Sequence, residues 1–253
     1  MLSTLMRPYE IVVLFAAGTL GGVFSTVVAI ASLVSYPVLL ALGLPPLTAN
    51  MTNTVSLVLT GAGSVAASRP ELTGQGRRTI RLGAITAAGG LCGAAVLLAA
   101  PASTFTVAVP VLIGGASVVL YFQPSAENRK PSHGRPWLER TALFAVAMYV
   151  GYFGAAAGVL LLIVLGTMIA EPLIKVNAIK NAVSGLANLM AALCFTLFGS
   201  VRWSFVPALA AGFLLGGWLG PKIARRVPAG ALRILVCLCG LGLAIRLGIS
   251  AYH

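Results

Sequence analysis

The chain has 253 residues, 58% of them hydrophobic and 9% charged, with mean hydropathy +0.98, whereas soluble domains carry about 25% charged residues. Apolar runs of about 20 residues, the length that spans a hydrocarbon core of about 30 Å, recur throughout, and no polar stretch is long enough for a soluble domain. The formal net charge of +12 is read as Lys and Arg in loops on one membrane face, which set topology and favour anionic head groups, and not as a nucleic-acid interface.

The apolar segments run approximately 10–43, 46–67, 79–100, 104–122, 140–169, 173–199, 204–222 and 229–250. The first is too long for a signal-peptide core and lacks a small-residue cleavage pattern, so it is read as a membrane segment. As one helix it would reach about 51 Å, more than a tilted crossing needs. It and the fifth segment are interrupted by Gly, Ser and, in the first, Pro37. Each is therefore expected to be a hairpin or broken pair, with Pro37 in the first break and Gly151–Gly158 at the second. The stretch 123–139, rich in Pro, Ser, Gly and charge, reads as a cytoplasmic linker. It divides a first transmembrane repeat, 1–122, from a second, 140–253.

Two matches reveal the duplication. Thr52-Asn53-Thr54-Val55-Ser56 returns 128 positions later as Lys180-Asn181-Ala182-Val183-Ser184. Gly89-Gly90-Leu91-Cys92-Gly93 returns 127 positions later as Gly216-Gly217-Trp218-Leu219-Gly220. Charge chooses the orientation of the halves. With four plain crossings per half, 11 cations fall on one side and 6 on the other. With the long segments turned back, 14 fall on one side and only Arg7, Arg202 and Arg246 on the other. The second arrangement obeys the positive-inside rule better. The expected fold is an all-α polytopic membrane protein of two inverted repeats, about five segments each, with both termini outside.

Few polar residues lie inside the apolar segments. Lys180 has two readings: a counter-charge for an anion, because an ammonium in hydrocarbon costs at least about 2.5–3.5 kcal/mol, or a lysine snorkelling to the cytoplasmic end of its helix. Asn53 and Asn181 are repeat-equivalent and are either paired ligand donors or an interhelical glue. Asn50, Thr52, Asn177 and Asn188 extend their polar face. The glycines of the second repeated motif are read as close helix contacts. Breaks in the long segments free backbone N–H groups that suit an anion. The four cysteines, Cys92, Cys194, Cys237 and Cys239, lie in apolar segments and read as small core residues; the Cys-x-Cys pair diverges by about 200° on a helix. With no Asp, and with His133 and His253 in the linker and at the terminus, no metal, nucleophile or phosphate-loop constellation is present. No cofactor and no enzyme activity are expected.

The chain resembles the sulfite exporter TauE/SafE family of small anion permeases. The resemblance rests on Gly151-Tyr152-Phe153-Gly154 through Gly158, Val176-Asn177-Ala178-Ile179-Lys180-Asn181, Val201-Arg202-Trp203, and Gly216 through Lys222. In the first half it rests on Pro37-Val38-Leu39, Gly43-Leu44-Pro45-Pro46, Ala49 through Thr54, and Glu71-Leu72. It implies a permease of sulfur oxyanions or organosulfonates, with the site where the broken first segment, Ser25 to Ser32, meets Asn53, Lys180 and Asn181. The family's Gly-Ser-Gly-Thr-like run is replaced here by Ala29-Ile30-Ala31-Ser32, which adds bulk to that loop.

The leading expectation is a multi-pass carrier of a small anion in the cell membrane, working by alternating access about a midplane site. Substrate-binding residues are Ser25, Ser32, Asn50, Thr52, Asn53, Asn177, Lys180 and Asn181. Partners are the anion and the bilayer, with room for a coupling ion and a homodimer. The rivals are a non-transporting membrane scaffold or assembly subunit and a carrier of the same fold for a neutral or cationic solute; a membrane enzyme would need a reactive cluster that is not found.

Overall fold

A computed structural model describes residues 6–101 and 136–226, with 104, 105, 108, 111, 112 and 115 between them. Nine helices form among the described residues: α1 (Pro8–Val27), α2 (Ala31–Ala41), α3 (Pro46–Ala67), α4 (Arg69–Leu72), α5 (Gly76–Ala99), α6 (Pro136–Tyr152), α7 (Ala157–Met168), α8 (Leu173–Phe198) and α9 (Val206–Ala224). No strand occurs among these residues. Four helices, α1, α5, α8 and α9, are long and apolar enough to cross a membrane. The expected linker lies outside the described residues except for 136–139, which form the first turn of α6. Most of the fourth segment and all of the last, with Cys237, Cys239, His133 and His253, also fall outside them.

Local chemistry sets the helix ends. Proline at the first helical positions starts α1, α3 and α9, where its missing N–H costs nothing. Glu10 closes the first turn of α1 by accepting from the Arg7 N–H at 2.9 Å. After α2 the chain turns at Gly43, whose φ of 86° a side chain would resist.

The first long segment does break, but at Val28–Ile30 and not at Pro37, which lies inside α2. The break follows from the left-handed backbone of Ala29, φ 67°. Pro37 occupies the seventh position of α2, where it removes one intrahelical N–H donor, and the helix continues past it to Ala41.

The two long segments are hairpins. Arg7 and Tyr9 at the start of α1, Leu42 to Pro45 after α2, Thr48 of α3 and Arg202 to Phe205 before α9 border one groove. Chain entering along α1 therefore returns along α2 to the same end. The start of α5, Pro136, Glu139 and Arg140 of α6, Met168 at the end of α7, and Ile169 and Glu171 after it border a second groove. It lies at the other end of α3, where Arg225 after α9 bonds to Glu71.

Packing between the halves is reciprocal. α1 packs on α9 and α6 on α5; α3 packs on α9 and α8 on α5; α3 and α8 pack on each other. The repeated glycine motifs make these seams. Gly216 lies against Thr19 and Gly22 of α1, and Gly217 against Thr60 of α3. In the equivalent places Gly89 lies against Phe144 and Ala147 of α6, and Gly90 against Ala187 of α8. A β-carbon at Gly90 or Gly217 would meet backbone atoms of the facing helix below 3 Å, so only glycine lets the helices approach so closely. The polarity is that of a membrane protein: Lys180, Asn50, Thr52 and Asn53 are buried, while Val12, Ile80, Leu197 and Phe198 are exposed.

Candidate functional site

The two hairpin breaks meet at the centre. α6 ends at Tyr152 and α7 begins at Ala157, joined through Gly154 (φ 72°) and Ala156 (φ 51°). Ala29 and Ala156 stand 127 positions apart and are the only non-glycine residues with positive φ among the described residues. Such a backbone costs an L-residue about 1–2 kcal/mol and persists where its surroundings over-determine it. Gly158 faces Ala29 so closely that a β-carbon there would lie 2.7 Å from the Ala29 β-carbon.

Beside these breaks, α3 and α8 cross at Gly61 and Gly185, where a β-carbon on Gly61 would lie 2.9 Å from the Gly185 Cα. The breaks and this crossing enclose a cavity of about 40 Å³, room for roughly three water molecules. Its wall includes Ser25, Ala29 and Ser32 from the first hairpin, Gly154 and Gly158 from the second, and Lys180 and Asn181 from α8.

Lys180 is 2% exposed, so its amino group does not snorkel to a surface. Nζ donates to the Ser25 carbonyl at 3.0 Å. No carboxylate lies within ion-pair distance of it among the described residues. The neighbouring Asn181 buries its Nδ2 without an acceptor, and Thr60 Oγ1 on the same cavity wall is also unpartnered. Buried donors left without partners are uncommon and costly. α2 and α7, of 11 and 12 residues, both begin at the cavity, with Ala31, Ser32, Ala157 and Gly158 on its wall. Their first-turn N–H groups lack intrahelical acceptors and carry the positive end of the helix dipole. A buried lysine amino group, an unpaired amide and hydroxyl and two helix N-termini thus converge with no fixed negative charge among the described residues. Helix N-termini and unpaired donors of this kind suit a negatively charged group.

The other expected site residues act between helices. Asn177 Nδ2 donates to the Thr26 carbonyl at the end of α1, 2.8 Å. Asn50 Nδ2 donates to the Tyr152 carbonyl at the end of α6, 3.0 Å. These asparagines are 127 positions apart, and each caps the first hairpin helix of the opposite half. Asn53 ties α3 to α2, accepting from Ser35 Oγ at 2.6 Å and donating to Ser32 Oγ at 3.4 Å. Thr52 Oγ1 accepts from the Arg202 N–H at 3.0 Å, at the end of the molecule that bears Arg7. Ser25, Ser32, Lys180 and Asn181 therefore border the cavity, while Asn50, Asn177, Asn53 and Thr52 hold the hairpins and helices around it.

Thr54, Thr60, Ser64 and Ser184 also line the cavity; the sequence reading held Thr54 and Ser184 within the repeated motif without placing them at the site, and did not single out Thr60 and Ser64. Thr54, Thr60 and Ser64 stand six and four positions apart on α3, and Ser184 stands on α8; their signal was small hydroxyls within apolar helices, overshadowed by the asparagines. In the altered loop, Ala29 and Ala31 reach the wall, whereas Ile30 is fully buried and absent from it. No cluster of three His, Cys, Asp or Glu side chains able to hold a metal occurs among the described residues.

The family described as Sulfite exporter TauE/SafE matches residues 14–247. The chain is 24% identical over 245 residues to a probable membrane transporter protein, ORF9, of Sinorhizobium sp, covering 95% of this chain and 93% of that one. It is 24% identical over 229 residues to the probable membrane transporter protein YfcA of Escherichia coli K12, covering 87% and 82%. A probable membrane transporter protein of Haemophilus influenzae is 24% identical over 219 residues, covering 83% and 84%. No solved structure matches.

Proposed function

Because the chain belongs to the sulfite exporter TauE/SafE family, we propose that it is a secondary permease of a small anion, a sulfur oxyanion or organosulfonate, and not an enzyme. The observation that carries the reading is Lys180, buried at a small cavity with no carboxylate beside it among the described residues. A buried cation held only for structure is more stable when paired; one held for a ligand leaves its charge to be met by the ligand. Asn181 and the starts of α2 and α7 supply donors that suit an oxyanion's several acceptor atoms.

Alternating access is the mechanism in this reading. The hairpins of the two halves open at opposite ends, and their breaks pack on each other beside the cavity, which supports inverted repeats around a shared site. Rocking of one half against the other would expose the cavity to each side in turn. The multi-pass character, supported by the apolar helices and the transporter relatives, places this in a membrane, and the plasma membrane is the proposed one.

The test is uptake of radiolabelled sulfite and of a small organosulfonate into proteoliposomes, against protein-free vesicles and against a cation of similar size. Saturable uptake of one anion, with exclusion of the cation, is expected. Uptake no faster than in protein-free vesicles for every small anion tried would overturn the proposal and favour a scaffold.

A further inference from the structure

The geometry points to a binding site for an anionic membrane phospholipid in the groove where α5, α6 and the end of α7 meet. The groove measures about 610 Å³, far larger than the central cavity, and lies at the opposite end of the molecule from Arg7 and Arg202. Arg77, Arg78, Arg81 and Arg140 border it, with Glu139 and Glu171.

The acidic residues pair with only one of these arginines, Arg78, among the described residues. Glu171 is engaged by Lys175 at 3.1 Å and by Gln75 at 3.0 Å, and lies 3.9 Å from Arg78. Glu139 makes no ion pair among the described residues, and neither do Arg77, Arg81 and Arg140. Arg77 and Arg81 are four apart on one helix, a like-charge spacing that disfavours the helix unless an anion is shared. A phosphodiester supplies such an anion, and guanidinium groups bind it in forked pairs.

The surroundings choose a lipid over a soluble phosphate. α5 is a membrane-length helix that starts in this groove, so the arginines stand at head-group depth. Ile80, Trp137 and Leu138 are 73%, 62% and 51% exposed beside them. An exposed tryptophan next to basic residues at a helix start suits the membrane interface, and the apolar neighbours give acyl chains a surface. Basic pockets between membrane helices hold head groups of this kind. The ligand class is a glycerophospholipid whose head group has no compensating cation.

The experiment measures thermal stability of the purified full chain in detergent, titrated with phosphatidylglycerol, with phosphatidylcholine of the same acyl chains, or with soluble glycerol phosphate. Phosphatidylglycerol is expected to stabilise, and the other two are not. The triple variant Arg77→Gln, Arg81→Gln, Arg140→Gln should raise the half-saturating lipid concentration on the order of 100-fold. Arg7→Gln with Arg202→Gln, at the other end, should leave it unchanged, as should Lys180→Met, which separates this site from transport. If the triple variant fails to fold, Arg81→Gln alone with lipid counting by native mass spectrometry replaces it: loss of retained phosphatidylglycerol is expected, and full retention overturns the site. Equal stabilisation by phosphatidylcholine, equal stabilisation by glycerol phosphate, or an unaltered response in the triple variant also overturns it.

Discussion

Replacing Lys180 by methionine separates the two tasks its amino group could perform. In the fold, Nζ caps the Ser25 carbonyl at the end of α1. Methionine removes that bond and leaves a buried carbonyl short of a donor, a loss of about 1–3 kcal/mol. It also removes an ammonium whose placement in the membrane costs about 2.5–3.5 kcal/mol on the lower scale. The two nearly cancel, and methionine matches the length of the buried stem, so Lys180→Met is expected to fold with little change in melting temperature. Binding is a different matter. An anion about 4 Å from the ammonium gains about 4 kcal/mol at an effective dielectric constant of 20, which corresponds to on the order of 1,000-fold in affinity. Uptake of labelled sulfite in proteoliposomes, with a parallel thermal melt, reads both quantities. Near-complete loss of uptake in a protein that melts normally is the expected result. Wild-type uptake would refute the assignment of Lys180 to the anion. Loss of both folding and uptake would instead assign Lys180 to capping α1.

Asn50→Ala and Asn177→Ala each free a helix-terminal carbonyl of the opposite half. Each is expected to lower stability by about 1–2 kcal/mol, by similar amounts because the positions are equivalent, as read from thermal melts in detergent. Gly90→Ala and Gly217→Ala push a β-carbon into facing backbone at Ala187 and Thr60; each should cost about 1–3 kcal/mol, while Gly166→Ala, which has open space, should be nearly silent. The Glu171 carboxyl is held below the usual carboxylate range, first by the hydrogen bond from Lys175 and then by that from Gln75. Its tie therefore contributes stability above the unfolded value, near 4.5, and loses it as pH falls through the folded value. Wild-type stability should drop across that acid window more steeply than that of Glu171→Gln; parallel pH profiles would remove the tie from the stability of this loop.

Much of this protein is written in its sequence through constraints that act locally. Composition and the spacing of apolar residues demand membrane helices whatever their neighbours are, because unpaired backbone in lipid is too costly. The recurrence of Asn53 as Asn181, and of one glycine motif as the other, anticipates matching contacts: Gly90 presses on Ala187 of α8 and Gly217 on Thr60 of α3. The length of the first and fifth segments announces their hairpins. Tertiary structure decided what these signals leave open. Nothing local marks Ala29 and Ala156 for left-handed backbone: alanine disfavours it everywhere, and only packing of one break against the other enforces it. Pro37 is the local breaking signal, yet the chain breaks at Ala29 and α2 runs through Pro37 to Ala41. The asparagines on one polar face parted company for the same reason. Asn181 was left facing the cavity while Asn50 and Asn177 reached across to the opposite half, because the partner of a side chain is set by which helix lies opposite, a fact of assembly and not of spacing.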